Sequence, residues 1–285
     1  MVERPGLWMD ADQLDALRRD LRAIAETVLS GSLEYGVFRR DAALDDVIVT
    51  LVHEANRPIA FNALAPLDVA LGPAKRVPVL HLGLVMVDPS ARSGGLSWVL
   101  YGLTCFLVFA RGGFRPLCIS SVTQVPAVIG MVARTFGEVV PDPSSNRRAS
   151  PEQRAVARRL VTNHAAAFGV QEGCAFDADR HILLDAYRGG SDALKKSFEA
   201  AAKHREPVFN DYAARELDYE RGDDVVQVGA IDLAVARRYL TAQVPPGPAW
   251  RLTVSALVAF VGSTVLPVLH WFDTSRAYGA VRARS

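Results

Sequence analysis

The sequence predicts an α/β fold in which a mixed central sheet is flanked by helices and followed by an elaborated C-terminal region. Three observations carry that expectation. Short runs rich in Val, Ile and Leu, bounded by Pro, Gly or Asn, recur in the first half of the chain and again at Asp224, as strands do. Between them lie segments whose apolar residues return every three or four positions, the period of helices that lay one face on a sheet. The run from Val79 to Val87 has eight of nine residues apolar or Gly and lies between Pro78 and Pro89, which suits a central strand covered on both faces.

Composition bounds the function. With 285 residues, half of them hydrophobic and 22% charged, the chain can bury a full core. A net charge of +1 leaves no electrostatic footprint for nucleic acid. Cys105, Cys118 and Cys174 lack metal-ligand spacing and point to a reduced, cytoplasmic setting. The first thirty residues carry Glu, Asp and Arg throughout, unlike a secretory signal peptide. Asp177, Asp179, Asp185 and the run Asp218, Glu220, Asp223, Asp224 do not match a calcium loop, so turn and surface roles are expected and no metal.

The elements follow in order. Leu14, Leu17, Leu21, Ile24 and Val28 predict an amphipathic helix over Asp10 to Leu29. V-I-V-T-L-V within Asp45 to Glu54 and I-A-F-N-A-L-A after Pro58 predict two paired strands across an Asn56-Arg57-Pro58 turn. Two prolines and a glycine make Leu64 to Lys75 a loop or an irregular edge. The strand ending at Val87 leads through Arg92, Gly94 and Gly95 into an apolar helix over Leu96 to Ala110. Leu96, Leu100, Leu103 and Leu107 form its inward stripe, and Trp98, Tyr101, Cys105 and Phe109 form a second one. That second stripe asks for a cover: another segment, a second subunit in a homodimer, or a membrane surface. A strand at Leu117 to Val122 and a helix begun by Pro126 and running to Phe136 come next.

The stretch after Val87-Asp88-Pro89 resembles the acyl-CoA-binding motif of the GNAT superfamily of N-acyltransferases. The family's R/Q-x-x-G-x-G/A is met by Arg92-Ser93-Gly94-Gly95-Leu96-Ser97, with Ser in the last place. Its second motif, N-x-x-A-x-x-x-Y-x-x-x-x-F, overlays Gln124, Ala127, Met131 and Phe136, so Met131 stands where many members carry a tyrosine that protonates the departing thiolate. The block from Val77 to Phe136, about a fifth of the chain, keeps the family's element order. The resemblance implies acetyl-CoA or another acyl-CoA as co-substrate, and a small-molecule or peptide amine as acceptor. Backbone N–H groups near Val85 and Val87 would serve the thioester and pantetheine arm. Those of Ser93, Gly94, Gly95, Leu96 and Ser97 would take the pyrophosphate at a helix start. Arg92 is either a phosphate ligand or a structural residue, and Gln124 is a further cofactor contact.

For proton transfer the residues leave alternatives open. His81 lies six positions before Val87 and is expected on the same strand face, where imidazole suits an amine's proton; the other reading is a hydrogen-bonded core histidine. Glu54 is a second base candidate or a solvated end residue. Ser121, with Ser120 or Thr123, could relay a proton to the thiolate or cap the next helix. An inactive binding or scaffold protein on the same fold is the alternative to an enzyme.

The C-terminal half is expected to hold a loop at Pro141 to Pro151, helices over Glu152 to Phe168 and Asp192 to His204, strands at His181 to Tyr187 and Asp224 to Ile231 forming the last pair, and a helix from Asp232 to Leu240. Leu252 to Phe272 carries no charge over 21 residues, enough either to span a membrane or to pack as an apolar C-terminal helix on the core. The expected units are 1–140, 141–248 and 249–285.

Overall fold

The computed structural model describes residues 1–29, 36–39, 43–94, 96, 98–170, 173–187, 191–242, 244, 248, 250–255, 257, 258, 260 and 261. The elements run β1 (Val2–Glu3), α1 (Ala11–Val28), β2 (Ile48–Glu54), β3 (Arg57–Ala70), β4 (Arg76–Val87), α2 (Thr104–Arg111), β5 (Leu117–Thr123) and α3 (Pro126–Thr135). Then come β6 (Gly137–Val140), α4 (Pro151–Asn163), β7 (Phe176–Asp177), β8 (Ile182–Leu183), α5 (Pro207–Glu216), β9 (Asp224–Ile231) and α6 (Leu233–Ala242). Among the described residues the nine strands make one sheet, in the order β1-β2-β3-β4-β5-β9-β8-β7, with β6 also on β9. Every pairing is antiparallel except β4 with β5. The mixed sheet flanked by helices is therefore as expected.

Helices cover both faces. On one, α2, α3 and α6 bury Leu64, Leu80, Leu82, Ile119 and Ile231. On the other, α1 closes over Phe61, Ala63 and Met86, and α4 over Val69, Val79, Val226 and Val228. The N-terminus of α1 is held by Asp10, whose carboxylate accepts from Gln13 N while the Gln13 side chain accepts from Asp10 N, satisfying two otherwise orphaned donors.

Four expectations need correction. Of the two alternatives for Leu64 to Lys75, the loop holds only after Ala70, because β3 continues that far as an edge. Pro66 is tolerated there since β2 pairs with β3 only as far as Leu64, so beyond it β3 is an edge. The continuous helix expected over Leu96 to Ala110 starts instead as a π turn at Trp98–Leu103 and becomes α2 at Thr104. Asn62 explains the change: its amide donates to the Leu100 carbonyl and to Thr104 Oγ1, competing with the ordinary i→i+4 bond. The extra residue shifts the helix phase, so Leu100, Cys105, Phe106 and Phe109 are buried while Leu103 and Leu107 are only half-buried. Its cover is the chain's own α6, whose Tyr239 ring lies 5.7 Å from that of Phe106.

In the C-terminal half, His181 to Tyr187 does pair with β9, but only through Ile182 and Leu183. Positive φ at His181 and Asp185 ends the extended backbone on either side. Most of that edge is supplied instead by β6, which the sequence reading missed. The helix expected over Asp192 to His204 is a single 3₁₀ turn at Asp192–Leu194. Its lysines serve irregular backbone: Lys195 donates to the Glu220 carbonyl and Lys203 to that of Ala201. The helix of this region is α5, begun by Pro207 and packed against Ile129 of α3.

Of the apolar stretch Leu252 to Phe272, residues 262–272 and some before them lie outside the described residues. No helix among the described residues is long and apolar enough to cross a membrane. The described residues of this stretch are helical and, apart from half-buried Leu252, exposed, so an apolar C-terminal helix packed on the core is not supported among them.

Candidate functional site

The centre of the sheet is deformed at one place. Between the pairs Ala63–Leu84 and Ala65–His81, Leu82 and Gly83 of β4 stand opposite Leu64 alone, which is a β-bulge. Gly83 is required there, since a Cβ would lie 2.3 Å from the Ala63 carbonyl oxygen. The bulge has two consequences. It reverses the facing of the strand, so Leu84 and Met86 join the α1 face with His81 and Val79, while Val85 and Val87 turn to the α2 face with Leu80 and Leu82. The expectation that His81 and Val87 share a face is therefore wrong, because it assumed an unbroken two-residue period.

Second, β4 leaves β5. The two run parallel through Val79–Cys118 to Leu82–Ser121, and there the pairing stops, although both strands continue. From Gly83 to Val87 β4 has no strand on its β5 side among the described residues, so alternate backbone N–H and C=O groups face the gap. Val85 and Val87 lie on this open edge. At its end Asp88 accepts from Ser90 N at 2.8 Å and from Ser90 Oγ at 2.5 Å, with Arg57 Nη1 at 3.1 Å. The Ser90 hydroxyl, before the other contacts, holds the Asp88 carboxyl below its usual value. This bracket starts the 3₁₀ turn Pro89–Gly94, which carries the backbone of Arg92, Ser93 and Gly94. Leu96 follows in a turn, whereas Gly95 and Ser97 lie outside the described residues.

His81 is sealed in. It is 1% exposed, its Nδ1 lies 3.0 Å from Ser120 Oγ, and its ring lies tilted at 4.8 Å from that of Phe168. Desolvation pushes its pKa down from 6.5 to about 3. It is a neutral, weakly basic core imidazole on the face away from Val85 and Val87. Glu54 is exposed at the end of β2.

Ser121 lies on the other face, opposite Leu82 on one side and Gln227 on the other, where the gap opens. Gln227 is fully buried, and its amide nitrogen donates to the carbonyls of Ile129 and Pro141 at 3.2 and 3.1 Å, which fixes the amide's orientation. Its Oε1 accepts nothing among the described residues. Gln124, just past β5, is alike: Nε2 donates to the Leu194 carbonyl at 3.3 Å and Oε1 has no donor among the described residues. Met131 is half-buried against the core of that face. Gly83, Asn62 and Gln227 were missed in the sequence, yet each has a signal there: an isolated Gly, or a lone amide, inside a β-branched or apolar run.

No family model matches the chain, and no curated protein does. Among solved structures, a provisionally assigned acetyltransferase of the GNAT family from Desulfovibrio desulfuricans is similar over 79% of this chain and 95% of its own, at 12% identity and a TM-score of 0.29. At that identity and score the likeness decides neither fold nor activity.

Proposed function

We propose that this protein transfers an acyl group from an acyl-CoA thioester to an amine by direct attack. The observation that carries the reading is the open edge of β4 from Gly83 to Val87, bounded by the last β4–β5 pair and running into the 3₁₀ turn Pro89–Gly94. An extended arm bearing amides fits such an edge because it replaces the missing strand's hydrogen bonds. The loop backbone of Ser93 to Ser97 would receive phosphate oxygens.

The chemistry needs little from side chains. The amine lone pair forms the N–C bond at the thioester carbonyl, whose oxygen is polarised by N–H groups of the Val85 to Val87 edge. The C–S bond then breaks, the nitrogen loses a proton to solvent and the thiolate takes one. Ser121, on the same face as Val85 and Val87, would relay that proton to the thiolate and regain one from solvent, the task Met131 cannot fill. His81 keeps a structural task beneath Phe168.

A second reading, binding without turnover, is favoured by Met131 in the core and by the sealed His81. One experiment separates them. Calorimetric titration of the full chain with acetyl-CoA is expected to show micromolar to millimolar binding that Gly94→Glu abolishes, with acetyl transfer on a panel of amines. Binding without transfer on any amine selects the second reading, and absence of binding sinks both.

A further inference from the structure

On the α1 face of the sheet a cavity of about 400 Å³ lies beside the β4 bulge. Its floor is apolar, formed by Ala63, Ala65 and Leu67 of β3 and Leu84 of β4, with Gly83 at one end. The opposite wall is the segment from Ala43 to Val47 that precedes β2, and the charged residues lining the cavity there are Asp45 and Asp46. Arg4 engages Asp46 through Nη2 at 2.5 Å, but it reaches Asp45 only at the backbone carbonyl, through Nε at 2.8 Å. Half-buried Asp45 packs Oδ1 against Gly6, and no cation meets its carboxylate among the described residues. No Lys or Arg lines the cavity among the described residues.

A carboxylate at one end of an apolar trough favours a cation with a hydrocarbon body and opposes an anion. The span from the approach to β2 across β3 to β4 is about two strand spacings, on the order of 10 Å. We propose that this cavity binds an alkylammonium ion, its nitrogen at Asp45 and its chain lying over Ala63, Ala65 and Leu84 toward Gly83. This deepens the acyl-transfer reading and rests on it for one step only. The open edge of β4 begins at Gly83, so an acceptor seated this way presents a second amine at that end, which makes the acceptor class an alkyl diamine.

The test is calorimetric titration of the full chain, without acyl-CoA, using hexylamine, hexamethylenediamine and hexanoate. Both amines are expected to bind and hexanoate is not. Asp45→Asn should weaken the amines about fivefold to tenfold, the loss of one charge-assisted hydrogen bond at a partly exposed site. Ala65→Leu, which fills the trough and whose folding is checked by circular dichroism, should abolish binding. Hexanoate binding as tightly as hexylamine, undiminished affinity in Asp45→Asn, or no binding of either amine overturns the proposal. The two readings fail separately: amine binding in a protein that does not bind acetyl-CoA keeps the cavity and removes acyl transfer. Acetyl transfer to an amine with which hexylamine does not compete keeps the enzyme and removes the cavity.

Discussion

Two buried ionisable residues contribute to the pH response of the molecule in opposite directions. His81 has its pKa lowered from 6.5 to about 3 by desolvation. Between those values the unfolded chain binds a proton that the folded one refuses, so this stability is whole above pH 6.5 and is lost as pH falls toward 3. The effect can amount to several kcal/mol, on the order of 1.4 per unit. His81→Phe keeps an aromatic ring against Phe168 and should move the acid-unfolding midpoint to lower pH, read by circular dichroism; an unchanged midpoint would contradict a buried neutral imidazole. Asp224 runs the other way. Burial, then the charge of neighbouring Asp223, raises its carboxyl from 3.8 to about 7 against the opposing hydrogen bond from Tyr187 Oη, 3.0 Å away. The unfolded chain ionises first, so stability falls as pH rises from about 4 to 7. Asp224→Asn retains the acceptor for Tyr187 and should raise the urea midpoint at pH 8 while leaving it nearly unchanged at pH 4. Surface roles were expected for both aspartates, yet Asp223 is 0% and Asp224 5% exposed. Residue type alone carried no sign of that, because burial here comes from β8 and the turn before β9.

Among the elements, β4 decides the site. Gly83→Ala places a methyl against the Ala63 carbonyl, and relief requires the bulge to shift or straighten. The expected cost is about 2 kcal/mol or more in urea unfolding, a typical penalty for overpacking a tight site; a change under about 0.5 kcal/mol would show that the strand accommodates a side chain. The strand itself was legible, since its apolar run and bounding prolines are local signals. Its facing was not, because one bulged residue turns His81 and Val87 to opposite sides without altering the apolar pattern. The same holds for the helix after Leu96. Its apolar run was plain, but the π turn depends on Asn62, which lies on β3 far away in sequence.

For the molecule as a whole, the decisive fact is that β9 lies inside the sheet, with β5 on one side and β6 and β8 on the other. A fragment of residues 1–140 leaves β5 without its antiparallel partner and α2 without the α6 cover. It is expected to lack a cooperative urea transition and to aggregate on gel filtration, whereas a chain ended after Ala242 should unfold cooperatively. A cooperative, monomeric 1–140 fragment would show that the first unit folds alone. From sequence, Asp224 to Ile231 was read as a strand with the same bounds as β9, and its neighbours were only partly read. Strand identity follows from local pattern, while strand order depends on contacts between residues more than a hundred positions apart, which no local period encodes.

By itself the sequence determined the α/β class, the strand from Val79 to Val87, the helix-starting loop after Pro89 and the resemblance that points to a CoA thioester. All of these rest on short-range periodicity and on Pro and Gly punctuation. Only the tertiary structure decided that β4 parts from β5 at Gly83, that His81 is sealed beneath Phe168 while Ser121 stands on the face of Val85 and Val87, and that an apolar trough leads from Asp45 to the bulge. The reason is physical: the direction a side chain faces, and the water it loses, are set by the neighbouring strands and helices that close over it.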